Sequence, residues 1–224
     1  MESEIMEADL IYNKNGIEIF REVLPPLEVN TYIITYKNTI IIVDPGIGIN
    51  EKLNEIDGYN YEYKGVILTH FHYDHIAGLK ELKDFQVMIS QKDKPGLRDK
   101  SLNLSFMFEE NFEVKLNVEE LYEGYYNYGD LKFLIKYFPG HTPGSVICDF
   151  GEVIFTGDFI FSNTIGRTDL PLGDYKKMLK SLKIFKKYIE GKDDHVLVLP
   201  GHMGISNLKE LKEKNTILKY GGKL

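Results

Sequence analysis

Short apolar runs broken by turn residues set the rhythm of most of the chain. Ile17 to Val23, Thr31 to Tyr36 and Thr39 to Val43 read as strands, with a Lys37-Asn38 turn between the last two and Asp44-Pro45-Gly46 closing the third. Similar runs recur at Gly65 to Thr69, Gln86 to Ile89, Leu131 to Tyr137, Ser145 to Phe150, Val153 to Thr156 and Val196 to Leu199. Their length and their turn-forming flanks favour strands over helices. Helical spacing begins after Asn50, after Asp74 and at Asn207 to Lys214. It is clearest over Asp174 to Ile189, where Tyr175, Met178, Leu179, Leu182, Phe185 and Ile189 share one face and Asp174 stands at the N-cap. The two periods together predict an α/β or α+β architecture. No linker, low-complexity tract or short-period repeat divides the chain, so residues 1–224 are expected to form one domain.

A weak internal echo orders these elements. Thr31 to Asp44 reads as strand, turn, apolar strand, Asp, and Ser145 to Asp158 has the same layout. The first stretch is followed by Gly65 to His70, the second by His195 to His202, so each half ends one strand in Asp and a later one in His. If the halves are related by a pseudo-twofold, two sheets pack face to face with helices outside. The Asp and His residues then meet along one edge.

The 224 residues carry 27 basic and 34 acidic side chains, a net charge of −7, which excludes a polycation built to hold nucleic acid. A content of 43% hydrophobic and 27% charged residues excludes disorder and allows a sizeable core. From Lys176 onward, 12 Lys stand against 5 acids, a net of +7 that leaves −14 on residues 1–175. Most of these Lys fill the polar positions of Asp174 to Ile189. A solvated helix face is the plain reading, and a docking surface for an anionic partner, centred on Lys176, Lys180 and Lys183, is the alternative.

Cys148 is the only cysteine, so no internal disulfide, CxxC pair or thiolate zinc cage can form, and a reducing, cytoplasmic setting is expected. Met1 to Leu10 holds Glu2, Glu4, Glu7 and Asp9 where an export signal would be basic and then apolar. No apolar run approaches bilayer-spanning length, so no membrane association is expected.

Chemistry concentrates in His70-Phe71-His72-Tyr73-Asp74-His75, which holds three of the six histidines. In an extended segment His70 and His72 point to the same side, and Asp74 and His75 return beside them as the next, helical segment opens. Imidazoles with a carboxylate suit zinc, iron or manganese better than Ca²⁺ or Mg²⁺. One metal needs about four ligands, so this window cannot also close a second site. Three further candidates have matching contexts: His141 in Pro139-Gly140-His141-Thr142-Pro143-Gly144, Asp158 ending Phe155-Thr156-Gly157-Asp158, and His202 in Pro200-Gly201-His202. All occupy turns at strand ends, where catalytic groups commonly sit.

His70-x-His72-x-Asp74-His75, then His141, Asp158 and His202 in that order, resembles the metallo-β-lactamase superfamily from Asn30 to His202. The resemblance implies a four-layer αββα sandwich, an α+β fold of two mixed sheets with helices outside. It implies two divalent metal ions, with Zn favoured and Fe or Mn possible. One would be held by His70, His72 and His141, the other by Asp74, His75 and His202, with Asp158 bridging. Two such ions about 3.5–4 Å apart bring the pKa of a shared water towards 7. Catalytic roles then fall to Asp158, as the bridge, and to Asp74, as the group orienting the hydroxide. Asp44 is either an acceptor that fixes a ligand histidine or a plain turn former.

Zinc β-lactamases of the commonest type carry Cys at the bridging position, where this chain has Asp158, and Cys148 falls in a predicted strand. Flavodiiron oxidases are similar but carry Glu in place of the second His, where this chain has His72. Ile165-Gly166-Arg167-Thr168-Asp169-Leu170-Pro171 is similar to the short glyoxalase II-like hydrolases. Glyoxalase II continues into a helical region that grips glutathione, and this chain, ending 22 residues after His202, is expected to lack it. Arg167 and Asp169 read most simply as a mutual ion pair. Tyr122, Tyr125, Tyr126 and Tyr128 are read as core or surface packing, with an acyl pocket as the alternative.

The expected activity is therefore hydrolysis of a small-molecule thioester or ester, of the acylglutathione or small-thiol type, without nucleic acid or membrane partners. A mononuclear-iron persulfide dioxygenase, using His70, His141 and Asp158, is the main rival. A lactonase or another hydrolase of the superfamily, and then a non-catalytic metal-binding protein, follow it.

Overall fold

A computed structural model describes residues 9–56, 60–114 and 117–220. The acidic residues Glu2, Glu4 and Glu7, and Lys223 of the basic segment, lie outside the described residues. The first sheet runs β1 (Asp9–Lys14), β2 (Ile17–Leu24), β3 (Val29–Tyr36), β4 (Thr39–Val43), β5 (Tyr63–Leu68), β6 (Gln86–Ser90), β7 (Val118–Leu121), in spatial as in chain order. Pairing is antiparallel from β1 to β4 and parallel from β4 to β7. The second sheet holds β8 (Gly124–Tyr128), β9 (Leu131–Tyr137), β10 (Val146–Asp149), β11 (Val153–Gly157), β12 (Leu197–Pro200) and β13 (Ser206–Asn207), with order β13-β12-β11-β10-β9-β8. The helices are α1 (Ile49–Glu55), α2 (Tyr73–Ile76), α3 (Tyr175–Ile189), α4 (Leu208–Lys214) and α5 (Thr216–Tyr220).

Strand alternation sorts the apolar side chains into three layers. Ile41, Val43 and Ile67 of the first sheet meet Phe133, Ile135, Cys148 and Phe155 of the second between the sheets. Ile40, Ile42, Val66 and Leu68 point the other way, onto Ile49, Leu53 and Ile76 of α1 and α2. Ile147, Ile154 and Val198 carry α3 and α4 through Met178, Leu182, Phe185, Leu208 and Leu211. The result is the expected αββα order. β4, and β5 from Gly65 on, read as apolar runs because helices cover one face and the other sheet covers the second.

The internal echo has a structural counterpart. β3–β4 is an antiparallel pair followed by parallel β5, and β10–β11 is an antiparallel pair followed by parallel β12. Parallel pairing puts the C-terminal ends of β4 and β5, and of β11 and β12, at one edge. The halves are tied there: Asn30 N donates to Gly201 O at 2.7 Å, Tyr32 Oη to Pro200 O at 2.7 Å, and Val146 N to Thr69 O at 3.0 Å.

The helix expected after Asp74 keeps one α turn and continues as a 3₁₀ segment, Ala77–Glu81. The backbone is pinched there, since Gly78 N donates to Pro45 O at 2.9 Å and a Cβ on Gly78 would meet Gly46 O at 2.1 Å. α3 starts as expected, with the Asp174 side chain accepting from Lys177 N. Lys176, Lys180 and Lys183 are exposed. β1, β7, β8 and α5 go beyond the elements read from the sequence. No helix among the described residues is long and apolar enough to cross a membrane.

Candidate metal centre

All seven candidate ligands gather at the edge where β4, β5, β11 and β12 end. His70 follows β5, His72 stands at the N-cap of α2, and Asp74 and His75 lie within it. His141 sits in the turn after β9, Asp158 follows β11 and His202 follows β12. Two triads form, His70–His72–His141 and Asp74–His75–His202, each with its donor atoms within 4.8 Å of one another. Asp158 faces both. Its Oδ1 lies 3.5 Å from His75 Nε2, and its Oδ2 lies 3.6 Å from His141 Nε2 and 3.7 Å from His202 Nε2. Asp74 Oδ2 is 2.9 Å from His202 Nε2 and 3.4 Å from His75 Nε2.

The surrounding hydrogen bonds assign the tautomers. Asp44, 1% exposed, accepts from Thr69 N on Oδ1 at 2.8 Å, and from Thr69 Oγ1 at 2.6 Å and His75 Nδ1 at 2.9 Å on Oδ2. With its proton committed to Asp44, the Thr69 hydroxyl must accept from His70 Nδ1, 3.1 Å away. His141 Nδ1 donates to Arg167 O at 2.8 Å. Three rings thus carry a proton on Nδ1 and turn Nε2 inward, the arrangement expected of metal-binding histidines. Asp44, His70 and His75 also cluster closely enough to hold an ion. Asp44's oxygens are already committed to Thr69 and His75, which makes it the orienting acceptor rather than a ligand.

Two tests of the site favour a cation. His72 Nε2 and Asp158 Oδ1 are buried polar atoms without a hydrogen-bond partner, a costly state that a bound cation relieves. Nε2 atoms of His70 and His141 lie 3.2 Å apart, and those of His75 and His202 3.3 Å, so bare lone pairs face each other unless a cation or proton intervenes. Burial, reinforced by neighbouring imidazoles, lowers His70 well below its ordinary value and lowers His72 to about 3. Burial also lowers His141, although Asp158 pulls it up. These rings stay neutral at physiological pH and compete weakly for protons against a metal. Burial works to lower His75 and His202 as well, but the carboxylates of Asp74 and Asp158 raise both. Burial works to raise Asp158, and His75, His141 and His202 outweigh it and lower it. The donor set fits divalent cations of the zinc, iron and manganese kind.

Close backbone approach explains two glycines of the motifs. A Cβ on Gly166 would sit 1.7 Å from Asp158 O, and one on Gly201 would sit 2.4 Å from Asp158 Oδ1 and 2.5 Å from His75 Cε1. The guanidinium of Arg167 is engaged by Asp169 through two contacts, at 3.0 and 2.9 Å, while its carbonyl orients His141. The exposed His195 stands apart, paired with Asp193.

Asp93 and Thr69 are positioning groups that the sequence did not mark. Asp93, fully buried, accepts from Thr142 Oγ1 and Gly144 N, both at 2.6 Å, and pins the turn that carries His141. Set between Lys92 and Lys94, it reads as a surface residue, whereas Thr69 could have been found by its place directly before His70. Burial pushes the Asp93 carboxyl up to about 7, and its two hydrogen bonds only partly oppose this. The folded protein therefore keeps this proton to a higher pH than the unfolded chain does. The resulting stability is fully present below about pH 4 and is lost as pH rises towards 7. Asp93→Asn keeps the shape of the side chain and removes the titration. Between pH 4 and 7 the melting temperature of the metal-free variant, followed by circular dichroism, is expected to fall less than that of the native protein. Equal slopes would clear Asp93 of this effect.

The centre opens into a pocket of about 550 Å³ bounded by Leu27, Tyr73, Met107, Phe108, Phe161 and Met203, among others. The alternative role for Tyr122, Tyr125, Tyr126 and Tyr128 is corrected here. Tyr125, Tyr126 and Tyr128 lie on β8, at the far edge of the second sheet, and none of the four lines this pocket.

Comparison with known proteins agrees with this geometry. The family described as "Metallo-beta-lactamase superfamily" matches residues 24–202. "Probable metallo-hydrolase YqgX" of Bacillus subtilis (strain 168) is 33% identical over 202 residues, covering 86% of this chain and 93% of that protein. "Hydroxyacylglutathione hydrolase GloC" of Haemophilus influenzae is 31% identical over 192 residues, covering 79% and 86%. Among solved structures, the BLEG-1 B3 metallo-beta-lactamase is similar with a TM-score of 0.80 at 26% identity, over 90% of this chain and 99% of that one. TTHA1623, solved in a di-iron-bound form, is similar with a TM-score of 0.74 at 29% identity, over 88% and 98%.

Proposed function

The chain belongs to the metallo-beta-lactamase superfamily and is a metal-dependent hydrolase, and from that premise we propose that it hydrolyses thioesters of the acylglutathione or small-thiol type. The observation that carries this reading is the pair of triads sharing Asp158 at the floor of one pocket. The 31% identity to a hydroxyacylglutathione hydrolase supports it. His70, His72 and His141 would hold one divalent ion and Asp74, His75 and His202 a second, with Asp158 between them. Such ions, when bound, supply hydroxide near neutral pH and polarise the carbonyl under attack.

The protein's own groups do the rest. Asp44, Thr69 and the Arg167 carbonyl keep the imidazoles in the tautomer that leaves Nε2 free. Asp74 Oδ2, 2.9 Å from His202 Nε2, would orient the attacking water. Tyr73 and Phe108 shield the reacting carbonyl from bulk water on one side. In this reading the enzyme works in the cytoplasm on a small molecule, with Zn as the favoured ion and Fe or Mn as alternatives.

Elemental analysis of the purified protein, alongside a panel of thioesters, tests the proposal. The expected result is two equivalents of metal per chain and hydrolysis of at least one thioester. Metal-loaded protein inert towards the whole panel would refute it. One equivalent of iron with thiol-dependent O₂ uptake would replace it with the dioxygenase reading.

A further inference from the structure

The mouth of the metal centre is apolar, exposed and rigidly held. Met107 is 64% exposed, Met203 56% and Leu27 53%, all bordering the pocket that leads to the two triads. Large apolar side chains grouped around a cavity mark a binding surface rather than chance exposure.

Both rims are pinned by buried asparagines. Asn103, with no exposed surface, donates through Nδ2 to Gly96 O at 3.1 Å and Phe112 O at 3.2 Å, and its Oδ1 accepts from Ser105 N at 2.9 Å. This holds the 3₁₀ turn Ser105–Phe108, flanked by Leu104 at φ 69° and Glu109 at φ 58°. Met203, at φ 66°, also borders the pocket and has its carbonyl held by Asn30 Nδ2 at 2.9 Å and Arg21 Nη2 at 3.1 Å. Non-glycine residues in the left-handed region cost stability and persist where the surroundings impose them. Behind the turn, Phe108 and Phe112 pack on Tyr73 at ring distances of 5.1 and 5.4 Å, so the wall runs into the core.

The charge on this wall is equally informative. Among the described residues, Arg167 is the one Lys or Arg bordering the pocket, and Asp169 already pairs with it. A polar hydroxyacyl group, or a carboxylate, would find few partners on the wall away from the metals.

We infer that this pocket takes the apolar acyl chain of the substrate, so that the enzyme prefers alkanoyl or aryl-alkanoyl thioesters over hydroxyacyl ones. The inference rests on the thioesterase reading for its reaction, but the apolar site can be tested without turnover.

Two measurements separate them. In the first, metal-loaded protein is given lactoyl, butyryl, hexanoyl and octanoyl thioesters of N-acetylcysteamine. kcat/KM is expected to rise about fourfold per added methylene, as burial of one CH₂ predicts, and lactoyl is expected to be the poorest substrate. In the second, calorimetry measures binding of the non-hydrolysable S-butyl, S-hexyl and S-octyl thioethers of the same carrier, with the same slope expected in Kd. Met107→Asp combined with Met203→Asp alters only exposed positions, and should weaken S-octyl binding about tenfold more than S-butyl binding. If the thioethers bind with this slope while no thioester is cleaved, the apolar site stands and the thioesterase reading falls. If lactoyl is preferred, or Kd ignores chain length, the inference is overturned.

Discussion

Asp158→Asn is expected to remove most of the activity and part of the metal. Asp158 turns one oxygen towards His75 and the other towards His141 and His202, at 3.5 to 3.7 Å, so it faces the inward Nε2 atoms of both triads. An amide carries no charge and one good donor oxygen, and at least one triad loses its shared ligand. Loss of several kcal/mol of charge stabilisation lowers kcat/KM by ~10³-fold. Elemental analysis after dialysis should show the metal content falling from two equivalents towards one. The far-UV spectrum should stay native, because the strands that carry the site are held by the three hydrophobic layers. Full metal content with activity within about tenfold of native would dismiss the bridging role.

Asp44 is expected to be the most sensitive position that touches no metal. Asp44→Ala leaves Thr69 N, Thr69 Oγ1 and His75 Nδ1 without their buried acceptor, and should destabilise the protein by about 3–5 kcal/mol, read from urea unfolding. Asp44→Asn separates packing from tautomer control. Its amide oxygen can still accept from Thr69 N, but the NH₂ then faces His75 Nδ1 and the Thr69 hydroxyl. His75 is pushed to carry its proton on Nε2, and the hydroxyl no longer needs to accept from His70. Metal affinity should fall about 10–100-fold in a protein that still folds, read by competition with a chelator. Native affinity in Asp44→Asn would reduce Asp44 to a turn former.

Much of this site was legible because its chemistry is local. His70, His72, Asp74 and His75 lie within six residues, and the turns around His141, Asp158 and His202 carry the Pro and Gly that mark strand ends. Apolar runs such as Thr39–Val43 betray buried strands by composition alone. β8 was missed because its Gly-Tyr-Tyr-Asn-Tyr run shows no apolar alternation and lies on a sheet edge, where aromatic content points equally to a pocket wall. Asp93 was missed because nothing near it in the chain hints at burial. Its partner Thr142 lies 49 residues away.

The sequence by itself determined the repeated succession of strand, turn, strand and Asp, the capped lysine-rich helix and the seven candidate metal ligands, since these follow from residue type and short spacing. Tertiary structure alone decided which nitrogen each imidazole turns inward, what fixes it there and what surrounds the mouth of the site. Those depend on segments far apart in the chain coming together: Asp44 with His75, His141 with the Arg167 carbonyl, and Met107 and Met203 on the lining of one pocket. Parallel pairing of β4 with β5 and of β11 with β12 brings the strand ends to one edge, and the packing of the two sheets sets them against each other.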